Sequence, residues 1–347
     1  MTSPRNTILV GDVLDRLADL PTGSIDCVIT SPPYFQLRDY GVAGQLGLEP
    51  TVEEWVNNLR AVCARLARLL KPAGSLWLNL GDAFSRHPRY GAPAKGLLLA
   101  PERLVLALTA DGWILRNKVI WAKPNPMPTS VGDRLTLTYE VIYFLVRSPR
   151  YFFDLDVIRE PFTSPPRKHV RSQSEETWRA PLAGTHTGLS RLDESGRQGH
   201  RLGKNPGDVW TIPTHGYRGA HFATFPPTLV RRPLLATCPE AVCTGCGQPW
   251  RRVVSVRRLG LVEPTSRDRF VRGYRNRWRT VREVGDLVPC GCGAPTLPGV
   301  VLDPFFGTGT VGKVAQELGR DWLGIELNPA YVELAEARLA RAAERAA

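Results

Sequence analysis

The chain is expected to be an α/β protein built on a Rossmann-like, doubly wound, mostly parallel sheet. Three observations predict this. Strand-like and helix-like segments alternate through the first 160 residues and again after residue 299. A glycine-rich turn joins a strand to a helix near the C-terminus, and a proline-broken turn follows a β-rich run near the N-terminus. At 347 residues and 43% hydrophobic content the chain can bury a substantial core. No run approaches the roughly 18 consecutive apolar residues of a membrane span. Met1-Thr2-Ser3-Pro4-Arg5 lacks the apolar core of a signal peptide, so the expected compartment is the cytoplasm, with no membrane partner.

Thr7–Val10 is a short apolar run, and Val13–Leu20 has helical periodicity. Ile25–Thr30 is β-rich and stops at Ser31-Pro32-Pro33-Tyr34, because two prolines cannot continue a ladder. Val52–Leu70 is a helix, with Thr51 as N-cap and Glu54 completing a capping box. Lys71-Pro72-Ala73-Gly74 ends it, and Ser75–Leu80 is the next strand. Leu97–Ala110 is helical, and Trp113–Trp121 and Tyr139–Val146 are strands. After residue 162 the rhythm fails, and residues 163–221 are expected to form loops and small elements. It returns with Val300–Asp303 as a strand, Thr310–Leu318 as a helix closed by Gly319, Trp322–Glu326 as a strand and Pro329–Arg345 as a helix.

The net charge of +12 is segregated. Residues 163–298 hold 22 Lys/Arg against 10 Asp/Glu, while the rest of the chain is balanced. A polyanion such as nucleic acid is the usual partner of such a segment, and a solvated basic surface is the plainer alternative.

In Asp303-Pro304-Phe305-Phe306-Gly307-Thr308-Gly309-Thr310 the glycines let backbone approach a ligand at a helix N-terminus. Gly307 to Lys313 satisfies most of a P-loop, but Val314 stands where a hydroxyl would hold magnesium. Gly307 to Gly312 also fits a dinucleotide fingerprint with Glu326 as the ribose-binding acid. A dinucleotide fold needs several βα units after the fingerprint, and only one follows. A single nucleoside-like ligand fits better, with Glu326 accepting from two ribose hydroxyls.

Ser31-Pro32-Pro33-Tyr34 sits just past a strand, at the edge where doubly wound sheets bind ligands. An exocyclic amine is a poor nucleophile because its lone pair is delocalised into the base ring. Ser31 Oγ and the Pro32 carbonyl could accept its hydrogens and draw it toward tetrahedral geometry. The prolines fix their direction, and Tyr34 could stack on a base removed from the duplex.

With TSPPY, DPFFGTGT, Gly11-Asp12, LKPAGSLWLNLGD, YEVIYFLVRSPRYFFD and HFATFPPTLV, the chain resembles the beta class of S-adenosylmethionine-dependent DNA amino-methyltransferases, the N4-cytosine and N6-adenine family. The resemblance covers about two thirds of the sequence and implies a circularly permuted order, catalytic tetrapeptide before cofactor loop. It implies a catalytic part at 1–162, a target-recognition region at 163–221, a return segment at 222–237 and a cofactor-binding part at 299–347. Asp303, Phe305, Gly307 and Gly309 would surround S-adenosylmethionine, with the adjoining Pro304 and Thr310. Glu326 would meet its ribose and Asp12 its adenine, while His221, Phe225 and Pro226 would close the pocket. For a lone Gly-Asp the plainer account is that Asp12 caps the helix at Val13. A serine at position 31 is commoner for cytosine N4 than for adenine N6. Cys27 falls within a strand and Cys63 on a helix, and both are expected to be core.

Cys243-x-x-Cys246 and Cys290-x-Cys292 are two turn-like pairs whose four thiolates suit a structural zinc in a small zinc-ribbon-like insertion at 238–298. The 43 intervening residues exceed the usual separation, free thiols are the alternative, and Cys238 is a substitute ligand. Arg267, Arg269, Arg272, Arg275, Arg277 and Arg279 alternate with Phe270, Tyr274 and Trp278, a composition suited to phosphates. The expected function is cytosine-N4 methylation of double-stranded DNA, in a bacterial, archaeal or phage-encoded system that could include a restriction endonuclease for the same site. The rivals are adenine-N6 methylation and an inert zinc-dependent DNA-binding protein.

Overall fold

The computed structural model describes residues 4–161, 202–214, 225–262 and 277–344, with backbone alone for 254–262 and 277–284. Two compact units emerge, one comprising residues 1–154, 207–251 and 289–347, the other 155–206 and 252–288.

The first unit is a mixed α/β body on an eight-stranded sheet. Its strands are β1 (Thr7–Val10), β2 (Ile25–Thr30), β3 (Leu70–Leu80), β4 (Ile114–Ala122), β5 (Tyr139–Val146), β6 (Val209–Thr211), β11 (Val300–Asp303) and β12 (Asp321–Glu326). They lie in the order β1-β12-β11-β2-β3-β5-β4-β6, and β5 alone runs antiparallel to its neighbours. The last two strands of the chain therefore lie between the first two. β11 pairs with β2 through Val301–Cys27 and Leu302–Val28. From β11 the chain winds to β12, and from β2 it winds the other way to β3, so the sheet reverses direction between β11 and β2. β2 and β11 are buried along their whole length, as strands covered on both faces must be.

Each face carries helices. On one, α1 (Val13–Ala18), α2 (Val52–Leu69) and α3 (Ala100–Ala110) bring Leu17, Trp55, Leu66 and Leu104 against Ile25, Val28, Leu76 and Leu302. On the other, α4 (Pro227–Thr237), α5 (Thr310–Glu317) and α6 (Pro329–Glu344) bring Val230, Leu234, Val311 and Leu339 against Cys27, Ile29 and Val301. Burying each Leu- or Val-sized side chain on these faces is worth about 1.5–3 kcal/mol.

Two local expectations change, and one helix is new. Lys71-Pro72-Ala73-Gly74 does not separate α2 from the next strand: β3 begins at Leu70, and its pairing with β2 jumps from Ile25–Leu70 to Cys27–Ser75. The run is a bulge, held by Lys71 on the buried Asp26 at 2.8 Å. Thr51 does cap α2, accepting from Glu54 N at 3.2 Å, but the Glu54 carboxylate takes the Thr51 hydroxyl rather than a backbone N–H. Within the return segment stands α4, opened by Pro226-Pro227 and tolerating Pro233 inside it.

β7 (Val242–Cys243) and β10 (Thr296–Leu297) form a short antiparallel pair in the first unit. In the second unit β8 (Arg251–Val262) and β9 (Arg277–Val288) pair into a two-stranded ribbon. Among the described residues no helix is long and apolar enough to cross a membrane.

Candidate active site

The chemistry-bearing residues of the first unit collect at the carboxyl edge of its sheet. Gly11-Asp12 follow β1, Ser31 follows β2, Lys123 follows β4, Asp303 ends β11 and Glu326 ends β12. Because β5 runs the other way, its second residue, Glu140, starts at that same edge, paired with Trp121. This is where ligands sit in open α/β sheets, at the reversal of strand order.

A cleft of about 910 Å³, counted to its open mouth, lies over the ends of β1, β12, β11 and β2. Of the sequence-derived residues, Asp12, Ser31, Pro33, Phe225, Pro304, Phe305, Gly307, Thr310 and Glu326 line it. Asp303, Gly309, Pro226, Pro32 and Tyr34 do not, and His221 lies outside the described residues. Tyr40, Gln45, Leu46, Asn328 and Tyr331 also line the cleft, and no sequence signal marked them. Tyr40 and Tyr331 meet edge to face, their ring centres 6.4 Å apart.

The loop between β11 and α5 is shaped by carboxylates that bond to backbone. Asp303, 1% exposed, accepts from the Thr30 hydroxyl at 2.7 Å and from Phe305 N at 3.1 Å. Burial pushes its carboxyl up to about 8. Asp303 thus ties the end of β2 to the loop from behind. Glu326 accepts from Gly307 N at 2.7 Å and Asn328 N at 2.8 Å, and desolvation raises it too. Gly307 and Gly309 hold φ of 50° and 72°, left-handed values that L side chains rarely adopt. Phe306 stacks on Trp322, and a Cβ at Gly324 would come within 2.4 Å of its ring, so only glycine admits it there. Asp12 caps α1, accepting from Leu14 N at 2.8 Å, and faces the cleft as well.

Around the tetrapeptide, side chains bond to side chains. The Tyr34 hydroxyl donates to Glu140 at 2.6 Å and lies 3.1 Å from Ser31 Oγ. Asn79, from β3, donates to Tyr34 Oη at 2.7 Å and to Glu140 at 2.8 Å. Lys123 forms an ion pair with the same Glu140. Burial, and then the Glu140 charge, push the Tyr34 hydroxyl well above the tyrosine range. The Pro33 carbonyl accepts from the Trp55 indole at 2.9 Å, and the Tyr34 ring lies against Gly81, where a Cβ would come within 2.7 Å. Cys27 and Cys63 are buried thiols pushed up to about 12 by desolvation, which suits core rather than nucleophilic cysteines.

Away from this edge, Cys243, Cys246, Cys290 and Cys292 bring their sulfurs within 4.8 Å of one another, while Cys238 is buried elsewhere. Sγ–Sγ distances of 3.0 Å for Cys243–Cys292, 3.2 Å for Cys290–Cys292, 3.6 Å for Cys246–Cys290 and 3.8 Å for Cys246–Cys292 lie at or below the edge, about 3.8 Å, of a tetrahedron with zinc–sulfur bonds of about 2.3 Å. The Cys292 N–H is the main reason that the Cys290 thiol drops to about 6.

Comparison with known proteins fits this arrangement. The N6/N4 methyltransferase family, described as DNA methylase, matches residues 25–243 and 296–337, which leaves the Cys246–Cys292 segment outside the match. The type II methyltransferase M.XycI of Xanthomonas campestris pv. cyanopsidis is 34% identical over 96% of this chain and 87% of its own length. M.Cfr9I of Citrobacter freundii is 32% identical over the same shares. Among solved structures, the PvuII DNA methyltransferase (cytosine-N4-specific) shares the fold with a TM-score of 0.56 at 17% identity, covering 99% of this chain and 93% of that one. TTHA0409 of Thermus thermophilus, complexed with S-adenosyl-L-methionine, gives 0.50 at 23% identity over 96% and 95%. With the family match spanning most of the chain and relatives above 30% identity along nearly all of it, the chain belongs to the N6/N4 DNA methylase family and is a DNA amino-methyltransferase.

Proposed function

We propose that the protein methylates the exocyclic N4 of cytosine in double-stranded DNA, using S-adenosylmethionine. The observation that carries this reading is a neutral Ser31, bonded to Tyr34, on the wall of the cleft beside Glu326. The donor set fits the cofactor. Each Glu326 oxygen already accepts one backbone N–H, and a carboxylate oxygen has a second lone pair free for a ribose hydroxyl. Phe305, Phe225, Tyr40 and Tyr331 offer apolar surface for a purine, with Asp12 at its rim. When bound, S-adenosylmethionine supplies an electrophilic methyl group on a sulfonium.

The chain's own part is to present the amine. Ser31 Oγ and the Pro32 carbonyl accept the two amine hydrogens and localise the nitrogen lone pair, so the amine attacks directly and in line. No cysteine adduct is needed, since the tetrapeptide carries none and Cys27 is buried. Tyr34 stacks on the base once it has left the duplex, and Pro33 stiffens the turn. His221 and Pro226 join Phe225 in closing the pocket, and Asp303, Pro304, Gly309 and Thr310 shape its loop.

Residues 163–221 with the arginine-rich stretch 267–279 supply phosphate contacts and base recognition, consistent with the charge excess at 163–298. The segment 238–298 is a zinc-ribbon-like insertion, its metal held by Cys243, Cys246, Cys290 and Cys292. The insertion of β11 and β12 between β1 and β2 supports a circularly permuted methyltransferase order. The type II relatives suggest a partner restriction endonuclease for the same site.

Mass spectrometry of nucleosides from DNA of expressing cells tests the reading. N4-methylcytosine is the expected product; N6-methyladenine in its place overturns the base assignment, and neither product overturns the function. Metal analysis of protein purified without chelator is expected to find about one zinc per chain, and its absence removes the metal site.

A further inference from the structure

The hydrogen bonds around Ser31 have a fixed direction. Tyr34 has one hydroxyl proton and gives it to Glu140 Oε2, a carboxylate oxygen that can only accept. The 3.1 Å contact between Ser31 Oγ and Tyr34 Oη must then be donated by the serine. Ser31 keeps lone pairs to accept from a substrate, and it lines the cleft. Asn79 cannot reverse this order: its amide nitrogen, a donor, lies 3.3, 2.7 and 2.8 Å from Ser31 Oγ, Tyr34 Oη and Glu140 Oε2. The other Glu140 oxygen is paired with Lys123, and the Glu140 side chain is 15% exposed. Glu140 also lines a second, separate opening of about 370 Å³, together with Asp82, Glu102 and Tyr139.

We infer that Glu140 is the terminal acceptor of the proton that leaves the target amine, reached through the hydroxyls of Ser31 and Tyr34. The inference rests on the amine methylation proposed above. When the amine nitrogen forms its bond to the methyl carbon it becomes cationic, and one N–H bond must break. That proton passes to Ser31 Oγ as the serine proton passes to Tyr34 Oη and the tyrosine proton passes to Glu140 Oε2. Both hydroxyls end with one proton each, the amine loses its positive charge, and one carboxylate is neutralised.

The step runs downhill because an alkylated exocyclic amine cation is far more acidic than a carboxylic acid. Lys123 pairs with the other Glu140 oxygen and leaves Oε2 facing Tyr34. Tyr34, held well above its ordinary range, stays protonated and relays rather than ionises. The groups facing Glu140 are Lys123 just after β4, Asn79 from β3 and Tyr34 from the turn after β2, with Asp82 and Glu102 across the second opening. Through that opening the proton returns to water without crossing the cofactor cleft.

The test is single-turnover transfer of labelled methyl from S-adenosylmethionine to amplified, methylation-free genomic DNA, with the nucleoside product identified. Glu140→Gln keeps the shape and an acceptor for Tyr34 but not the basicity. It is expected to slow transfer about 100-fold, within the usual range for a proton-transfer group, with cofactor affinity within about twofold of wild type. Glu140→Ala, which vacates the space of the carboxylate, should regain part of its rate with added formate. Tyr34→Phe, which keeps the ring against Gly81 and cuts the relay at its middle, should show a comparable loss. Transfer by Glu140→Gln within threefold of wild type, or no rescue of Glu140→Ala by formate, overturns the relay alone. Failure of the wild type to methylate any amine overturns the underlying function and the relay with it.

Discussion

At the β11–α5 loop the acidic side chains bond mostly to backbone, whereas around Ser31 the side chains bond to one another. Asp303, Glu326 and Asp12 accept from the amides of Phe305, Gly307, Asn328 and Leu14, so the cofactor side of the edge is a shaped main chain with few exposed donors. The tetrapeptide side is a polar cluster whose members come from β3, β5, the residue after β4 and the turn after β2. Ligand affinity should therefore respond to backbone geometry at the first region, and reaction rate to side-chain chemistry at the second. Substitutions that separate the two effects sharpen this contrast, and substitutions that mix them break it.

The largest effect is expected from Gly307→Val. A branched side chain at φ 50° carries strain of about 1–3 kcal/mol and displaces the amide that Glu326 holds. Affinity for S-adenosylmethionine should fall roughly 100-fold by calorimetry while circular dichroism stays that of the folded protein. Unchanged affinity would sink the cofactor assignment. Tyr34→Ala should do the reverse. Single-turnover transfer should drop about 100-fold, from lost stacking worth about 1–3 kcal/mol and the broken side-chain cluster, with cofactor affinity nearly normal. An equal loss of both quantities would erase the distinction between the regions.

Gly81→Ala probes the same side more gently, because its methyl would press on the Tyr34 ring from 2.7 Å. Transfer should slow by about tenfold, a barrier change of about 1.4 kcal/mol, again without a change in cofactor binding. The smallest effect concerns stability. Burial raises the Asp303 carboxyl from its ordinary value to about 8, so its protonated form is the one the fold favours. Its contribution is fully present below about pH 4 and is lost as pH rises through 8. Asp303→Asn keeps an acceptor for Thr30 and should raise the melting temperature relative to wild type by more at pH 8.5 than at pH 5. A gain that is equal at the two pH values would show that Asp303 does not titrate in the fold.

Much of the scaffold was legible in the residues. β1, β2, β5 and β11 have the bounds expected of them, because each is a β-rich run ended by Pro, Gly or a charge. The glycine loop and Ser31-Pro32-Pro33-Tyr34 stood out for the same reason, since glycine and proline act through local backbone geometry. α4 escaped notice because Pro233 breaks a helical pattern locally, although packing of Val230 and Leu234 on the sheet holds the helix together. The β8–β9 ribbon escaped because its sequence mixes arginines with apolar residues without clean alternation.

By itself the sequence determined the alternation of elements, the two motif-bearing turns and the pairing of cysteines into two short spacings. Only the tertiary structure decided that Asn79, Lys123 and Glu140 meet at Tyr34, that Asp303 works from behind the loop, and that Tyr40 and Tyr331 close the cleft. The reason is physical. A turn's conformation depends on residues adjacent in the chain, but Glu140 reaches the carboxyl edge because β5 alone runs antiparallel between β3 and β4, and strand order is set by burying both faces of the whole sheet at once.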